Sequence, residues 1–393
     1  MQDILVVCPQ ERDLQAIRAA GLDRRYRVHC AGADLDAIDL FDPEAFIEGC
    51  DAIPADGVVG TKDRSVLLAA LIAERRGLPG PRPRALTACQ FKPISRALQR
   101  ATVPDATPRF ALLDGRPPFG PPFFVKPVVG RLSQNARRID DPADIGALRE
   151  LDAYTSSYAR IAALAGLHSD AVHGFLAEEL LTGLEVTLEG YAFQGKVTTI
   201  GITDALKYEG TNSFEQFEYP SALPEERKQE LRGITERIVP ALGFDGGFFN
   251  VEFFVPDEGP ARIIEVNGRI ASQFWPLVQA VRGSSTYEAM FRLACGEDPG
   301  WEVSPSRGVA LSYCLRVFED AQVLAVPDPE DDLEILVRPG LRLSEQGLND
   351  ADSYRLCIFY GFGETREEAV EAARARARVL RFMLEPVAAT ARP

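Results

Sequence analysis

Two carboxylates, an amide and a guanidinium recur at strand-like spacing in Gly247-Phe-Phe-Asn-Val-Glu252-Phe-Phe-Val255 and in Arg262-Ile-Ile-Glu265-Val-Asn267-Gly-Arg269. Both segments are apolar and alternating, and the run Pro256-Asp-Glu-Gly-Pro260 between them is a turn signal, so an antiparallel hairpin is expected. Residues two apart on a strand share a face, which puts Glu265 and Asn267 together. Glu252 on the partner strand can stand across from them. Three hard oxygen donors then converge. That set suits Mg²⁺ (or Mn²⁺), an ion that combines one or two carboxylates with the phosphate oxygens of a nucleotide.

The rest of the chain must position this hairpin, and its composition limits how. A chain of 393 residues with 46% hydrophobic and 26% charged content is globular and long enough for two or three domains. A net charge of −15 argues against nucleic acid, whose backbone needs clustered Lys and Arg, and favours small molecules that bring their own cation. The arginines of Arg374-Ala-Arg376-Ala-Arg378-Val-Leu-Arg381 follow Glu364, Glu367, Glu368 and Glu371, which reads as a solvated helix face stitched by pairs three and four apart. No apolar run reaches the length of a membrane span, and Met1-Gln-Asp-Ile-Leu-Val-Val-Cys8 reads as a first buried strand of a cytoplasmic protein. Seven scattered cysteines without a CxxC pair read as reduced thiols, and three histidines leave little for a zinc site or a His-based triad.

Along the chain, short apolar strands (Ile4–Val7, Tyr26–His29, Gly57–Val59) alternate with helices near Asp13–Ala20 and Arg64–Arg75, the pattern of an α/β unit with a parallel sheet. A breaker stretch, Gly77-Leu-Pro-Gly-Pro-Arg-Pro83, precedes a helix carrying Lys92 as far as about Arg100. A second, Gly115-Arg-Pro-Pro-Phe-Gly-Pro-Pro122, introduces the strand Phe123-Phe-Val-Lys126-Pro127. Residues 142–175 read mainly as helix, followed by strands at Phe175–Leu181, Glu185–Phe193 and Lys196–Thr203 and by an amphipathic helix at Pro224–Leu242. Beyond the hairpin come strands at Val309–Phe318, Glu334–Val337 and Tyr354–Tyr360 and a closing helix at Thr365–Leu384.

Lys126 ends an apolar strand beside the loop Val128-Val-Gly130-Arg-Leu-Ser133-Gln-Asn135, where an ammonium and loop donors can meet phosphate oxygens. In Ala177-Glu178-Glu179-Leu180-Leu181-Thr-Gly183-Leu-Glu185, backbone near Leu181 can meet a purine edge and Glu185 a ribose diol. Taken singly, a strand-end lysine facing water is the better account of Lys126, and an edge strand with an acidic face accounts for the second segment equally well.

Taken in order, strand, lysine, loop, acidic hinge and acidic hairpin resemble the ATP-grasp superfamily over nearly the whole chain, and most of all its carboxylate–amine ligases of the amino-acid ligase type. The resemblance implies an α/β fold, α+β in the grasp domains. It divides the chain into a Rossmann-like N-terminal domain (1–108), a lid subdomain (109–178) and a catalytic and C-terminal domain (179–393). Phe91-Lys92 resembles the family's Asp-Lys nucleotide pair with Phe replacing Asp, and Lys126 lies on its phosphate-binding strand. ATP contacts are thereby expected at Lys92, Lys126, Ser133, Glu178, Glu179, Leu181 and Glu185, and metal ligation at Glu252, Glu265 and Asn267. Arg269 matches the family's substrate and phosphate arginine. Two departures stand out: Asn267-Gly-Arg269-Ile-Ala-Ser-Gln273 replaces the usual Asn-Pro-Arg and glycines, and the phosphate loop is poor in glycine.

The resemblance implies an ADP-forming, dipeptide-type ligase. A carboxylate, expected to be an amino acid, is activated as an acyl-phosphate and coupled to an amine or second amino acid. Arg269 and Lys126 would stabilise the reaction's charges, and Lys207, Ser272 and Gln273 are substrate candidates with Arg269. A carboxylase subunit, a purine-pathway enzyme, a D-alanine–D-alanine-like ligase and a non-catalytic ATP-binding regulator are the alternatives. A homodimer through the N- or C-terminal domain also accords with the resemblance.

Overall fold

The computed structural model describes residues 1–35, 41–113, 119–130, 134–149, 152–302, 307–330, 332–346, 349–350 and 353–387. The N-terminal strands β1 (Asp3–Val7), β2 (Arg27–Ala31) and β3 (Gly57–Val59) form a parallel sheet in the order β2-β1-β3. All five residues of β1 are buried, as continuous apolar composition requires of a strand covered on both faces. Helices Glu11–Ala19 and Asp63–Arg76 flank it, in keeping with the alternation read from the sequence.

A second sheet contains β4 (Phe110–Leu112), β5 (Phe123–Pro127), β6 (Arg137–Ile139) and β7 (Phe175–Glu179) in the antiparallel order β4-β7-β5-β6. It is a small sheet, in the place of the expected lid, with its own core of Phe123, Val125, Ile139, Leu148 and Ala177. Residues 142–175 are less helical than expected: a single α-helix, Asp152–Leu164, is set between short 3₁₀ turns.

The third sheet is antiparallel and has nine strands. It comprises β8 (Leu184–Phe193), β9 (Lys196–Lys207), β10 (Phe214–Tyr219), β11 (Gly247–Val255), β12 (Arg262–Asn267), β13 (Val309–Val317), β15 (Leu333–Ile335), β16 (Asn349–Asp350) and β17 (Ser353–Gly363). Its order is β12-β11-β8-β9-β10-β13-β17-β15, with β16 also paired to β17. The β8–β9 connection is a two-residue turn with positive φ at both Gln194 (50°) and Gly195 (77°), the backbone that closes a tight hairpin without splaying its strands. Behind the predicted catalytic hairpin, Phe249, Val251 and Phe253 join one buried cluster with Leu231, Ile234 and Ile238 of the helix Glu225–Ala241, so the polar residues of β11 face the other way.

The C-terminus departs from expectation. The last helix spans Arg366–Val379, and Met383–Pro386 forms β18, paired with β14 (Ala321–Ala325) in a separate two-stranded sheet. Arg376, expected to pair along its own helix, binds Glu330 and Asp332 instead, and Arg366 at the start of the helix binds Glu218. The helix lies along β17 and β13, so those arginines overhang acidic groups at the sheet margin.

Side chains also tie the N-terminal unit to the large sheet. Arg12 is ion-paired with Glu334 of β15, and Asp13, which accepts from Thr61 Oγ1 at 2.9 Å within the unit, also accepts at 2.5 Å from Tyr287 Oη on the helix Thr286–Ala294. Between lid and large sheet the chain turns at Gly183, whose φ is +129° and where an added Cβ would stand 2.5 Å from the carbonyl oxygen of Val255. Gly183→Ala is therefore expected to lower stability by about 1–3 kcal/mol from backbone strain alone. A melting temperature equal to that of the parent protein would show that this turn is not so constrained.

Candidate active site

The polar face of the hairpin has the predicted arrangement. In the β11–β12 ladder Glu252 stands opposite Glu265 and Asn250 opposite Asn267. The register slips by one residue beyond Glu252, leaving Ile264 without a partner, a bulge that re-aims the local backbone. Its carbonyl oxygen accepts from Arg96 Nη2 at 2.7 Å and from Lys126 Nζ at 3.0 Å. The lid strand carrying Lys126 is thereby tethered to the floor strand.

Lys126 Nζ also lies 3.0 Å from Glu178 Oε2, and Arg96 Nε donates to Glu178 Oε1 at 2.6 Å. Burial alone would raise the Glu178 carboxyl, but Arg96 and Lys126 outweigh it and hold the group at about 2. Burial lowers Lys126 to about 8 against the opposing pull of Glu178. Glu178, expected at the nucleotide, is therefore committed to fixing the cation beside it. Glu179 is held elsewhere, where Arg109 Nε donates to it at 2.9 Å and Arg262 of β12 lies 3.5 Å away. Leu181 lies in the connection between β7 and β8, partly exposed. Ser133 falls outside the described residues.

Lys92, at the start of the helix Lys92–Thr102, places Nζ 3.1 Å from Glu265 Oε1. Burial would raise Glu265, yet Lys92 and Lys126 keep it below the usual carboxylate range. Glu252 has no such partner, and burial followed by the charges of Glu265 and Glu185 pushes it up to about 8. Asn267 Nδ2 donates to Glu252 Oε1 at 3.2 Å. Among the described residues no three His, Cys, Asp or Glu side chains form a metal cage. Two opposed carboxylates and an amide oxygen instead suit a divalent cation that completes its shell with oxygens of a bound ligand.

Arg269 closes this end of the cleft. Its Nε donates to Asp63 Oδ1 at 2.6 Å, in the first turn of the helix Asp63–Arg76. Burial would lower the guanidinium's pKa, but Asp63 more than offsets it and the group stays charged. Gln273 Nε2 reaches Ser312 Oγ at 2.9 Å on β13, and Ser272 lies in the intervening turn, half-buried. Further along the same face Lys207 Nζ sits 3.0 Å from Glu185 Oε2 and over the rings of Phe214 and Phe254. Burial raises Glu185, with Lys207 opposing.

The structure thus joins Lys92, Lys126, Glu178, Glu252, Glu265, Asn267 and Arg269 in one network, continued by Glu185 and Lys207. Arg96, Asp63, Asn250 and Glu189 were not foreseen. Three of them carried a signal: Arg96 lies one helical turn from Lys92, Asn250 two residues before Glu252, and Glu189 four residues after Glu185 on the same strand face. Asp63 carried none, since nothing local points to an arginine 206 residues away.

Comparison with known proteins accords with this architecture. Residues 119–276 match ATP-grasp_4, an ATP-grasp domain. The uncharacterized protein y4rH of Sinorhizobium fredii is 27% identical over 310 residues, 74% of this chain and 61% of its own length. The fold is similar to that of an L-amino acid ligase from Bacillus licheniformis, with a TM-score of 0.79, 19% identity and 98% of both chains covered. It is also similar to phosphoribosylglycinamide synthetase from Anaerococcus prevotii (TM-score 0.68, 15% identity, 98% of this chain and 100% of that one). A third likeness is to the biotin carboxylase domain of the Hydrogenobacter thermophilus 2-oxoglutarate carboxylase (TM-score 0.70, 14% identity, 98% and 91%). Lid sheet, large antiparallel sheet and acidic hairpin in this order give the chain the ATP-grasp fold, with an ATP-grasp domain in residues 119–276.

Proposed function

We propose that the protein is an ATP-dependent ligase that activates a small carboxylate, such as an amino acid, and couples it to an amine or a second amino acid with release of ADP and phosphate. The observation that carries this reading is the Glu252–Glu265–Asn267 oxygen set with Lys92, Lys126 and Arg269 around it. The extent of the likeness to an L-amino acid ligase supports the substrate class.

Lys92 and Lys126 would hold the nucleotide's phosphates, each leaving or sharing a carboxylate partner to do so. A divalent cation held by Glu252, Glu265 and Asn267 would supply charge neutralisation at the transferring phosphoryl group. A substrate carboxylate oxygen forms a bond to the γ-phosphorus as the bond to ADP breaks. The amine then attacks the acyl carbon, phosphate leaves, and the amine's proton passes to solvent. Arg269, held through Nε by Asp63, would direct its fork to the oxygens of the acyl-phosphate and of the tetrahedral intermediate.

Glu265→Gln is expected to reduce amine-dependent phosphate release by about 100-fold or more, whereas Arg269→Ala should retain ATP binding and lose product to a similar degree. Normal turnover in E265Q, or loss of ATP binding in R269A, contradicts these assignments. With hydroxylamine as the amine, the wild-type protein should convert the activated carboxylate to a hydroxamate identifiable by mass; bicarbonate-dependent turnover without a hydroxamate would point to carboxylase chemistry instead.

Proton linkage gives a separate check. The folded, ligand-free protein keeps a proton on Glu252 up to about pH 8, which the unfolded chain has already released. The stability from this group is complete below the ordinary carboxylate range and is lost as pH rises to about 8. Melting temperature should therefore fall more steeply across that window in the wild-type protein than in Glu252→Gln, which cannot titrate there. Parallel pH profiles for the two proteins would rule out this account of Glu252.

A further inference from the structure

Two buried side chains lie beside the site on the same face of the sheet. Asn250 on β11 and Glu189 on β8 are cross-strand partners, 1% and 4% exposed. Asn250 Nδ2 donates to the carbonyl oxygen of Arg269 at 2.9 Å, and Glu189 Oε1 accepts from the backbone N–H of Ala271 at 2.7 Å. The two bonds grip the chain on either side of Ile270, which is itself buried. Neither polar group could be left unmade at such depth without a desolvation cost, so the loop is held in one position rather than merely contacted.

The bonds also dictate which way the amides face. A carbonyl oxygen only accepts, so the atom Asn250 presents to Arg269 is its nitrogen, and its Oδ1 must be turned to Asn267. Asn267 answers with Nδ2 at 3.0 Å and places the same nitrogen 3.2 Å from Glu252 Oε1. Both hydrogens of that amide are then used on protein acceptors, and Oδ1 is the atom it has left to offer a cation.

We propose that Asn250 and Glu189 are positioning residues that form a cross-strand clamp: Asn250 turns the Asn267 oxygen towards the metal position and, with Glu189, sets the backbone that carries Arg269. The clamp makes the metal end and the arginine end of the site a single rigid piece. It rests on the ligase reading above and adds to it a source for the relative placement of the two ends. The role asked of Glu189 is that of an acceptor, which an amide oxygen can fill, and not that of a charge.

The test uses Mn²⁺ with ATP, followed by electron paramagnetic resonance for binding and by phosphate release for turnover, with thermal melts of every variant. Asn250→Asp keeps the shape but cannot donate to Arg269, and Asn250→Ala removes both bonds. In Asn250→Ala the apparent Mn²⁺ affinity in the presence of ATP should weaken about 10–100-fold, as loss of a partner that orients a ligand does elsewhere, whereas Asn250→Asp, whose carboxylate still accepts from Asn267, should keep Mn²⁺ affinity and lower kcat. Glu189→Leu should lower kcat with Mn²⁺ affinity close to wild type, and Glu189→Gln should restore kcat to within about threefold of wild type, because its Oε1 still accepts from Ala271. Wild-type Mn²⁺ affinity in folded N250A overturns the orientation of Asn267, and wild-type kcat in N250D overturns the hold on the Arg269 backbone. Loss of turnover in a stably folded E189Q overturns the clamp by showing that the charge is what matters. A wild-type protein that binds no Mn²⁺ with ATP overturns the ligase reading and the clamp with it, an outcome distinct from either variant result.

Discussion

Glu252 and Glu265 stand opposite each other in the β11–β12 ladder, and like charges directly opposed on a sheet repel. In a closed cleft the repulsion is screened less than at the surface, and the protein answers it unevenly. Glu265 is given Lys92 at 3.1 Å, with Lys126 nearby, and stays ionised; Glu252 is given only an amide hydrogen and takes up a proton. Two identical side chains on one hairpin therefore have their proton affinities pushed in opposite directions. The difference comes from which helix and which lid strand reach over them.

That asymmetry depends on the lid being brought to the floor. Arg96 and Lys126 converge on Glu178 from a helix and a lid strand, and both donate to the carbonyl of Ile264 on the floor strand. The bulge in the hairpin is what turns that carbonyl towards them. A one-residue slip in register, small in itself, thus connects three elements that are far apart in the chain. On the opposite side, the pairing of Arg269 with Asp63 does the same for the N-terminal unit.

Much of this was legible wherever local periodicity carried the information. The hairpin, its facing carboxylates and the parallel N-terminal sheet follow from alternation and turn residues, and the order of motifs implied the ATP-grasp fold. Partner choice was not legible. Glu178 has the residue type and position of a nucleotide contact, but its neighbours Arg96 and Lys126 come from elsewhere in the chain and claim it. The arginines of the last helix carry a pattern that suggests pairing within the helix, and tertiary packing gave Arg376 the partners Glu330 and Asp332. Its final turn failed as helix because Met383–Pro386 could pair with β14. Competition between local and distant partners is settled by the fold, and sequence spacing records only the local side.

The pairing of Lys207 with Glu185, like that of Lys92 with Glu265, has a consequence for how a polyanion enters a chain with a net charge of −15. Lys92, Lys126, Lys207 and Arg269 each have a resident carboxylate partner, Glu265, Glu178, Glu185 and Asp63 respectively. On the proposed function, arrival of a nucleotide would be an exchange of counter-ions, in which carboxylates released by the lysines become free to face an incoming cation. Such an exchange would favour a guest that brings both signs of charge at once.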